Sequence, residues 1–335
     1  MSTTYRGYFV DIGPCIGADD KIWTISLNEH MSETPIVMLH GMGAGSALWV
    51  LNLDTISKSN PVHCIDLLGF ARSSRPKFSS NPTETEQQMV KGLEAWRREM
   101  RLNSMILLGH SLGGFIATSY AISYPDRVRH LILADPWGFP EKPDDIASRY
   151  NLPIWVRAIA FLVKPLNPLW AVRMAGPFGP WLVQKARPDI MRKFSPLLGE
   201  DTSIVTQYIF QCNAQNPTGE SAFHSMMTGF GWAKQPMLPR MVSLRNDVPI
   251  TILYGSRSWV DHAAGDLIRA QRPPDSYLNI QIIGGAGHHV YADKSETFNQ
   301  MVIEAVEMLS PSPLANQDKG SPTESQENLD ESPSH

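Results

Sequence analysis

Apolar positions along this chain fall into short unbroken runs separated by helical stretches. Pro35–His40, Val62–Asp66, Ser104–Gly109 and His130–Asp135 are rich in Val, Ile and Leu, and each ends in Gly, His or Asp. Continuous apolar runs of this length, parted by helices, predict strands of a parallel sheet covered on both faces. Tyr5–Ile12 and Lys21–Leu27 read as a starting hairpin. Asn81–Leu102 reads as a helix, with Pro82 near its start and many Glu, Gln, Lys and Arg. The alternation stops between residues 141 and 240. It resumes with strands Pro249–Gly255 and Asn279–Gly284 and a helix over Lys294–Leu309. The expected architecture is therefore an α/β core from residues 1–140 and 241–310, with a mostly parallel central sheet. Residues 141–240 form a helical cap insertion between the two halves of that sheet.

Residues 311–335 carry five acids against Lys319 and almost no large apolar side chain. Such a segment cannot bury enough surface to offset its ordering entropy, so disorder is expected. Its net charge of -4 equals that of the whole chain, which leaves the folded body near neutral and without a basic field for nucleic acid. Cys15, Cys64 and Cys212 are scattered. They make neither a disulfide framework nor a metal site, and a reducing, cytoplasmic location is expected. The N-terminus has no basic stretch followed by an apolar one, and no apolar run reaches about 18 residues. Membrane contact is expected to be peripheral.

The chemistry begins at Gly109-His110-Ser111-Leu112-Gly113, which fits G-x-S-x-G with an apolar strand before it and a helical stretch after. This is the nucleophile turn of an α/β-hydrolase fold, with Ser111 as nucleophile. Acyl transfer also needs donors aimed at the developing oxyanion. The backbone N–H groups of Leu112 and of Met42, in the glycine-rich loop His40–Gly45, are the expected pair. In this fold the acid and then the histidine follow the serine in chain order. His288, directly after Gly285-Ala286-Gly287, is the expected general base, with His289 adjacent. Asp261, after strand Pro249–Gly255, is the expected acid, and Asp135 is the alternative. His40 and His110 read as hydrogen-bonded scaffold. His288 and Asp293 also form an H-x4-D pattern, for which the structural alternative is a capping box, Asp293-x-x-Glu296. No metal and no cofactor are expected, and acyl-CoA enters only as a co-substrate if the acyl group is transferred.

Residues 151–193 hold Arg157, Lys164, Arg173, Lys185, Arg187, Arg192 and Lys193 against Asp189 alone. Aromatic and aliphatic side chains lie between these charges, and Pro153, Pro165, Pro168, Pro177 and Pro180 break the helices. This pattern predicts a mobile cap over an acyl slot, with a face suited to an anionic membrane. Arg192-Lys193-Phe194-Ser195 fits a basophilic-kinase site with Ser195 as acceptor.

Several runs together are more specific than the fold. They include Leu48–Asn52, Asp66–Pro76, Met105–Phe115, Asp135–Pro140, Ala175–Gly179 and Gly285–Asp293. Over about residues 8–309 the chain resembles the α/β-hydrolase-domain 4/5 family. Its members include lysophospholipases acting on N-acyl phosphatidylethanolamine, a triglyceride-lipase coactivator and mitochondrial cardiolipin deacylases. The resemblance implies a serine lipid acyl hydrolase with Ser111, Asp261 and His288 at the family's triad positions. The alternatives it implies are lysophosphatidic acid acyl transfer and coactivation of a triglyceride lipase, with a droplet coat protein as a further partner. The coactivator branch has Asn where this chain has Ser111, which favours a working hydrolase. That branch shares Arg257 and Gly287, positions tied to lipase activation. Location on lipid droplets or membranes is implied, with the mitochondrion as alternative. Because the chain lacks the Trp-rich N-terminal arm of the vertebrate coactivator, the cap is expected to supply the lipid contact.

Overall fold

The computed structural model describes residues 2–143, 168–199, 201, 203–229 and 231–309. The expected disordered tail, and the cap residues Arg157 and Lys164, lie outside the described residues. The chain opens with β1 (Tyr5–Gly13) and β2 (Asp20–Leu27), the antiparallel hairpin read from the sequence. There follow β3 (Ile36–Leu39), α1 (Val50–Ile56), β4 (Val62–Ile65), α2 (Pro82–Glu99), β5 (Met105–His110), α3 (Leu112–Ser123) and β6 (Val128–Ala134). The insertion contributes α4 (Pro168–Met174), α5 (Gly179–Ala186), α6 (Pro188–Leu198), α7 (Ser203–Asn213) and α8 (Thr218–Met226), then a small hairpin of β7 (Met227–Thr228) and β8 (Trp232–Ala233). The core resumes with β9 (Ile250–Gly255), α9 (Ala263–Gln271), β10 (Leu278–Ile283), α10 (Val290–Asp293) and α11 (Ser295–Glu307).

The main sheet has eight strands in the order β1-β2-β4-β3-β5-β6-β9-β10. Strand β2 meets β4 antiparallel, and the six strands from β4 to β10 run parallel. Because β6 pairs directly with β9, the insertion leaves the sheet continuous. Neighbouring residues on a strand face opposite ways, so one strand serves two cores. Val37 and Leu39 of β3 join Trp96 of α2 and Phe115 and Tyr120 of α3 on one face. Ile36 and Met38 join Trp49, Leu53 of α1 and Phe298 of α11 on the other. Each such large side chain, fully buried, contributes roughly 1.5–3 kcal/mol.

Helix α2 starts where its cap chemistry says it should. The Asn81 side chain accepts from the N–H groups of Thr83 and Glu84, and Pro82 occupies the first turn. The strand order reverses around β3, since β4 lies on one side of it and β5 on the other. A reversal of this kind opens a crevice at the C-terminal strand ends, where ligands of α/β sheets bind. The loop after β3 and the turn after β5 both lie there.

Candidate active site

Ser111 sits in the turn from β5 to α3 with φ 54° and ψ -118°. A non-glycine residue tolerates this backbone only where the surroundings enforce it. The enforcement is visible at two glycines. A Cβ on Gly113 would stand 2.5 Å from the carbonyl oxygen of Leu39, at the end of β3. A Cβ on Gly41 would come within 2.8 Å of His110 Nδ1 and 3.0 Å of Ser111 Cβ. The loop after β3 therefore presses directly against the nucleophile turn.

The Ser111 hydroxyl lies 2.9 Å from His288 Nε2, and His288 Nδ1 lies 2.6 Å from Asp135 Oδ2. Asp135 is fully buried, and the His288 side chain is 16% exposed. The Nδ1–H donates to the carboxylate, so Nε2 is the free base facing the serine O–H. The second carboxylate oxygen of Asp135 accepts from the N–H of Gly255 at 3.0 Å, and the Ser258 hydroxyl donates to Oδ2. The acid on His288 is thus Asp135, not the expected Asp261. Asp135 directly follows β6, the neighbour of the nucleophile strand. Asp261 lies beyond the turn that follows β9, exposed, with its carboxylate accepting from the N–H of Ala263 at 2.9 Å. From the β9 side it is Ser258 that reaches the site.

His40 and His110 shape the site without joining the relay. His110 Nε2–H donates to the carbonyl of His288 at 2.9 Å, which ties the base's backbone to the nucleophile turn. His40 Nδ1–H donates to Gly41 O at 2.8 Å, and its Nε2 accepts from the N–H of Leu67 at 3.1 Å. Burial pushes both rings below the ordinary histidine range. His289 is also held well below it, first by burial and then by His110 and Lys193.

Met42 lines the same cavity as Ser111, and Leu112 opens α3. Neither N–H donates to a partner among the described residues. The loop that carries Met42 is held from above by the cap. Asn213 of α7 donates from Nδ2 to Gly43 O at 2.8 Å, and the Tyr208 hydroxyl accepts from the N–H of Ala47 at 3.1 Å. Arg75 binds the carbonyls of Gly69, Ala71, Cys212 and Asn216. The described part of the cap over residues 203–216 is therefore fastened to the core. None of these cap contacts was read from the sequence. Their partners are more than 130 residues apart, and no local pattern marks them.

One further expectation changes. Asp293 does not open a capping box. It ends α10, and Lys294 precedes α11 with no side-chain cap. Its carboxylate instead accepts from the N–H of Gly287 at 2.8 Å and pairs with Lys193 at 3.1 Å. The H-x4-D aspartate thereby braces the His288 turn. Arg257, exposed, donates to the carbonyl of Gly285 at 2.7 Å and braces the same turn from the other side. Gly287 is close-packed, since a Cβ there would meet Asp293 Oδ2 at 3.2 Å. Ser195 is exposed on α6, and its hydroxyl donates to the Arg192 carbonyl at 2.9 Å.

A cavity of about 280 Å³ opens over Ser111 and His288. Met42, Trp137, Phe223, Met227 and Trp259 give it apolar and aromatic walls. The Trp259 ring, largely exposed, lies 4.9 Å from the His288 ring. Such a site can pass an acyl group from an ester to Ser111 and then to water or an alcohol.

The model of the alpha/beta hydrolase fold matches residues 34–295. A human (lyso)-N-acylphosphatidylethanolamine lipase is 52% identical over 286 residues, which is 85% of this chain and 83% of that protein. The human 1-acylglycerol-3-phosphate O-acyltransferase ABHD5 is 49% identical over 290 residues, 86% of this chain and 82% of that protein. The chain belongs to the α/β-hydrolase-domain 4/5 family. The fold of this member extends to distant structures as well. A bromoperoxidase from Bacillus anthracis superposes with a TM-score of 0.64 at 16% identity, covering 90% of this chain and all of that one, a likeness of fold alone.

Proposed function

We propose that this chain is a serine acyl hydrolase of glycerophospholipids or lysophospholipids. The observation that carries the reading is the unbroken relay from Asp135 through His288 to Ser111 beside an apolar cavity. Ser111 attacks the acyl carbonyl while His288 Nε2 takes its proton. Asp135 stabilises the imidazolium, and the N–H groups of Met42 and Leu112 receive the oxyanion. His288 then returns the proton to the leaving alkoxide. The acyl-enzyme passes to water, or to lysophosphatidic acid when the cap keeps the site dry, with acyl-CoA as donor. The test is a panel of purified lipids with Ser111→Ala as control, with free acid and phosphatidic acid both measured. Free acid as the sole product removes the transfer reading.

The working location proposed is a peripheral one, on a membrane or droplet surface. Trp170, Met174, Phe178 and Trp181 of the cap are exposed, and Phe178 is 72% exposed. The charges contribute less than their number in the sequence suggests. Arg173 pairs with buried Glu220, Arg187 with Asp189 and Lys193 with Asp293, which leaves Lys185 and Arg192 outward among the described residues. At roughly 1 kcal/mol each near an anionic surface, two cations bind only weakly, so the aromatics must supply the rest. The double variant Phe178→Ser with Trp181→Ser should lower binding to vesicles containing phosphatidylserine by more than tenfold in a flotation assay. Undiminished binding would count decisively against this face.

Partnership with a triglyceride lipase or a droplet coat protein is a second reading, and Arg257 motivates it by its exposure. Gly287 belongs to the His288 turn and Arg257 braces it, so their loss alone does not separate the two readings. Ser111→Ala separates them: stimulation of a purified triglyceride lipase should survive it and fall with Arg257→Ala plus Gly287→Ser. Loss of stimulation in Ser111→Ala ends the coactivator reading.

A further inference from the structure

The basic residues of the cap do not all face outward. Arg187, between α5 and α6, lines the cavity over Ser111 and His288. It is the one lining residue with a permanent charge among those described. Its guanidinium donates to both carboxylate oxygens of Asp189, from Nε and from Nη2, each at 2.9 Å. Both side chains are nearly half exposed, at 45% and 40%. Water reaches the pair, so it contributes little to stability and can exchange partners. The Nη1 edge donates to no partner among the described residues.

We propose that Arg187 recognises the phosphate of a glycerophospholipid or lysophospholipid whose acyl carbonyl lies at Ser111. This rests on the hydrolase reading above and assigns its substrates an anionic headgroup. The remaining walls explain the choice. Met42, Trp137, Phe223 and Met227 accommodate an acyl chain but leave a charged headgroup without a partner. A guanidinium fork matches the oxygens of a phosphate and is the side chain best suited to bind them. Asp189 occupies the Nε and Nη2 edge of that fork and competes for it. Hydrogen bonds from Arg187 hold the Asp189 carboxyl at about 2, so it is ionised throughout the working range. Asp189 in turn meets Lys193 at 3.5 Å, and Lys193 meets Asp293, which braces the turn of His288. The proposed headgroup contact is therefore tied by a chain of ion pairs to the base.

The test uses the Ser111→Ala protein, so that no turnover enters and the hydrolase reading stands or falls separately. Titration calorimetry compares 1-octanoylglycerol 3-phosphate, neutral 1-octanoylglycerol, and glycerol 3-phosphate without a chain. The phosphorylated lipid should bind about 10- to 100-fold tighter than the neutral one, the range for hydrogen bonds between charged groups. Adding Arg187→Gln should abolish this preference, and adding Asp189→Asn should enlarge it several-fold by freeing the fork. A preference untouched by Arg187→Gln, or an equal loss for both lipids, overturns the proposal. Equal affinity for glycerol 3-phosphate and the octanoyl lipid would indicate a free-phosphate site and overturn it too.

Discussion

Ser111→Ala should lower lipid ester hydrolysis by about 10⁵- to 10⁶-fold, the scale on which serine triads fail when the nucleophile is removed. The residual rate reflects binding and the oxyanion donors, which the substitution leaves in place. The fold should survive. Alanine at Ser111 removes one hydroxyl, and the turn at φ 54° is enforced by the contacts of Gly41 and Gly113 rather than by that hydroxyl. The measurement is free fatty acid release from a lysophospholipid by purified wild type and variant, with thermal unfolding of both as control. A fluorophosphonate probe should label the wild type at Ser111 and leave the variant unlabelled. Hydrolysis that persists in the pure, folded variant would mean the relay is not the catalytic device.

Asp135→Asn should cost about 10⁴-fold in kcat, or about 5 kcal/mol, while Asp261→Asn should stay within a few-fold of wild type. The asymmetry follows from the partners of each carboxylate. Asp135 Oδ1 is fixed by the N–H of Gly255, while Oδ2 accepts both the His288 Nδ1–H and the Ser258 O–H. In the Asn variant the amide oxygen stays on Gly255 and the NH₂ faces His288. The ring is then driven into the tautomer with hydrogen on Nε2, which cannot take a proton from Ser111. The side chain at this position is fully buried. Asp261 is exposed and its known work is one contact to the N–H of Ala263, so its loss should cost at most about 1 kcal/mol of stability. The comparison needs kcat and KM of both variants on one lipid. A collapse of kcat in Asp261→Asn alone would invert the assignment.

The sequence by itself determined the sheet, the insertion and two of the three relay residues. Apolar runs such as Ile36–Leu39 and Met105–His110 are legible because a strand buried on both faces must be apolar throughout. Ser111 is legible because a strand-to-helix turn that tight needs glycines at fixed offsets, and His288 because a glycine turn follows the last strand. The acid was not legible. Asp135 and Asp261 both follow a strand, and both lie between Ser111 and His288 in chain order, so either satisfies every local rule. What separates them is lateral strand order, since β6 lies beside the nucleophile strand and β9 one place further out. Strand order is set by long-range pairing, which leaves no mark on neighbouring residues. The same limit governs the cap. Its basic count is plain in the sequence, but only the packed chain decides that Arg173 turns inward to Glu220, Lys193 reaches Asp293, and Arg187 lines the cavity over Ser111. A helix pattern gives the spacing of charges along one element, whereas the partner each charge finds depends on which other element lies against it.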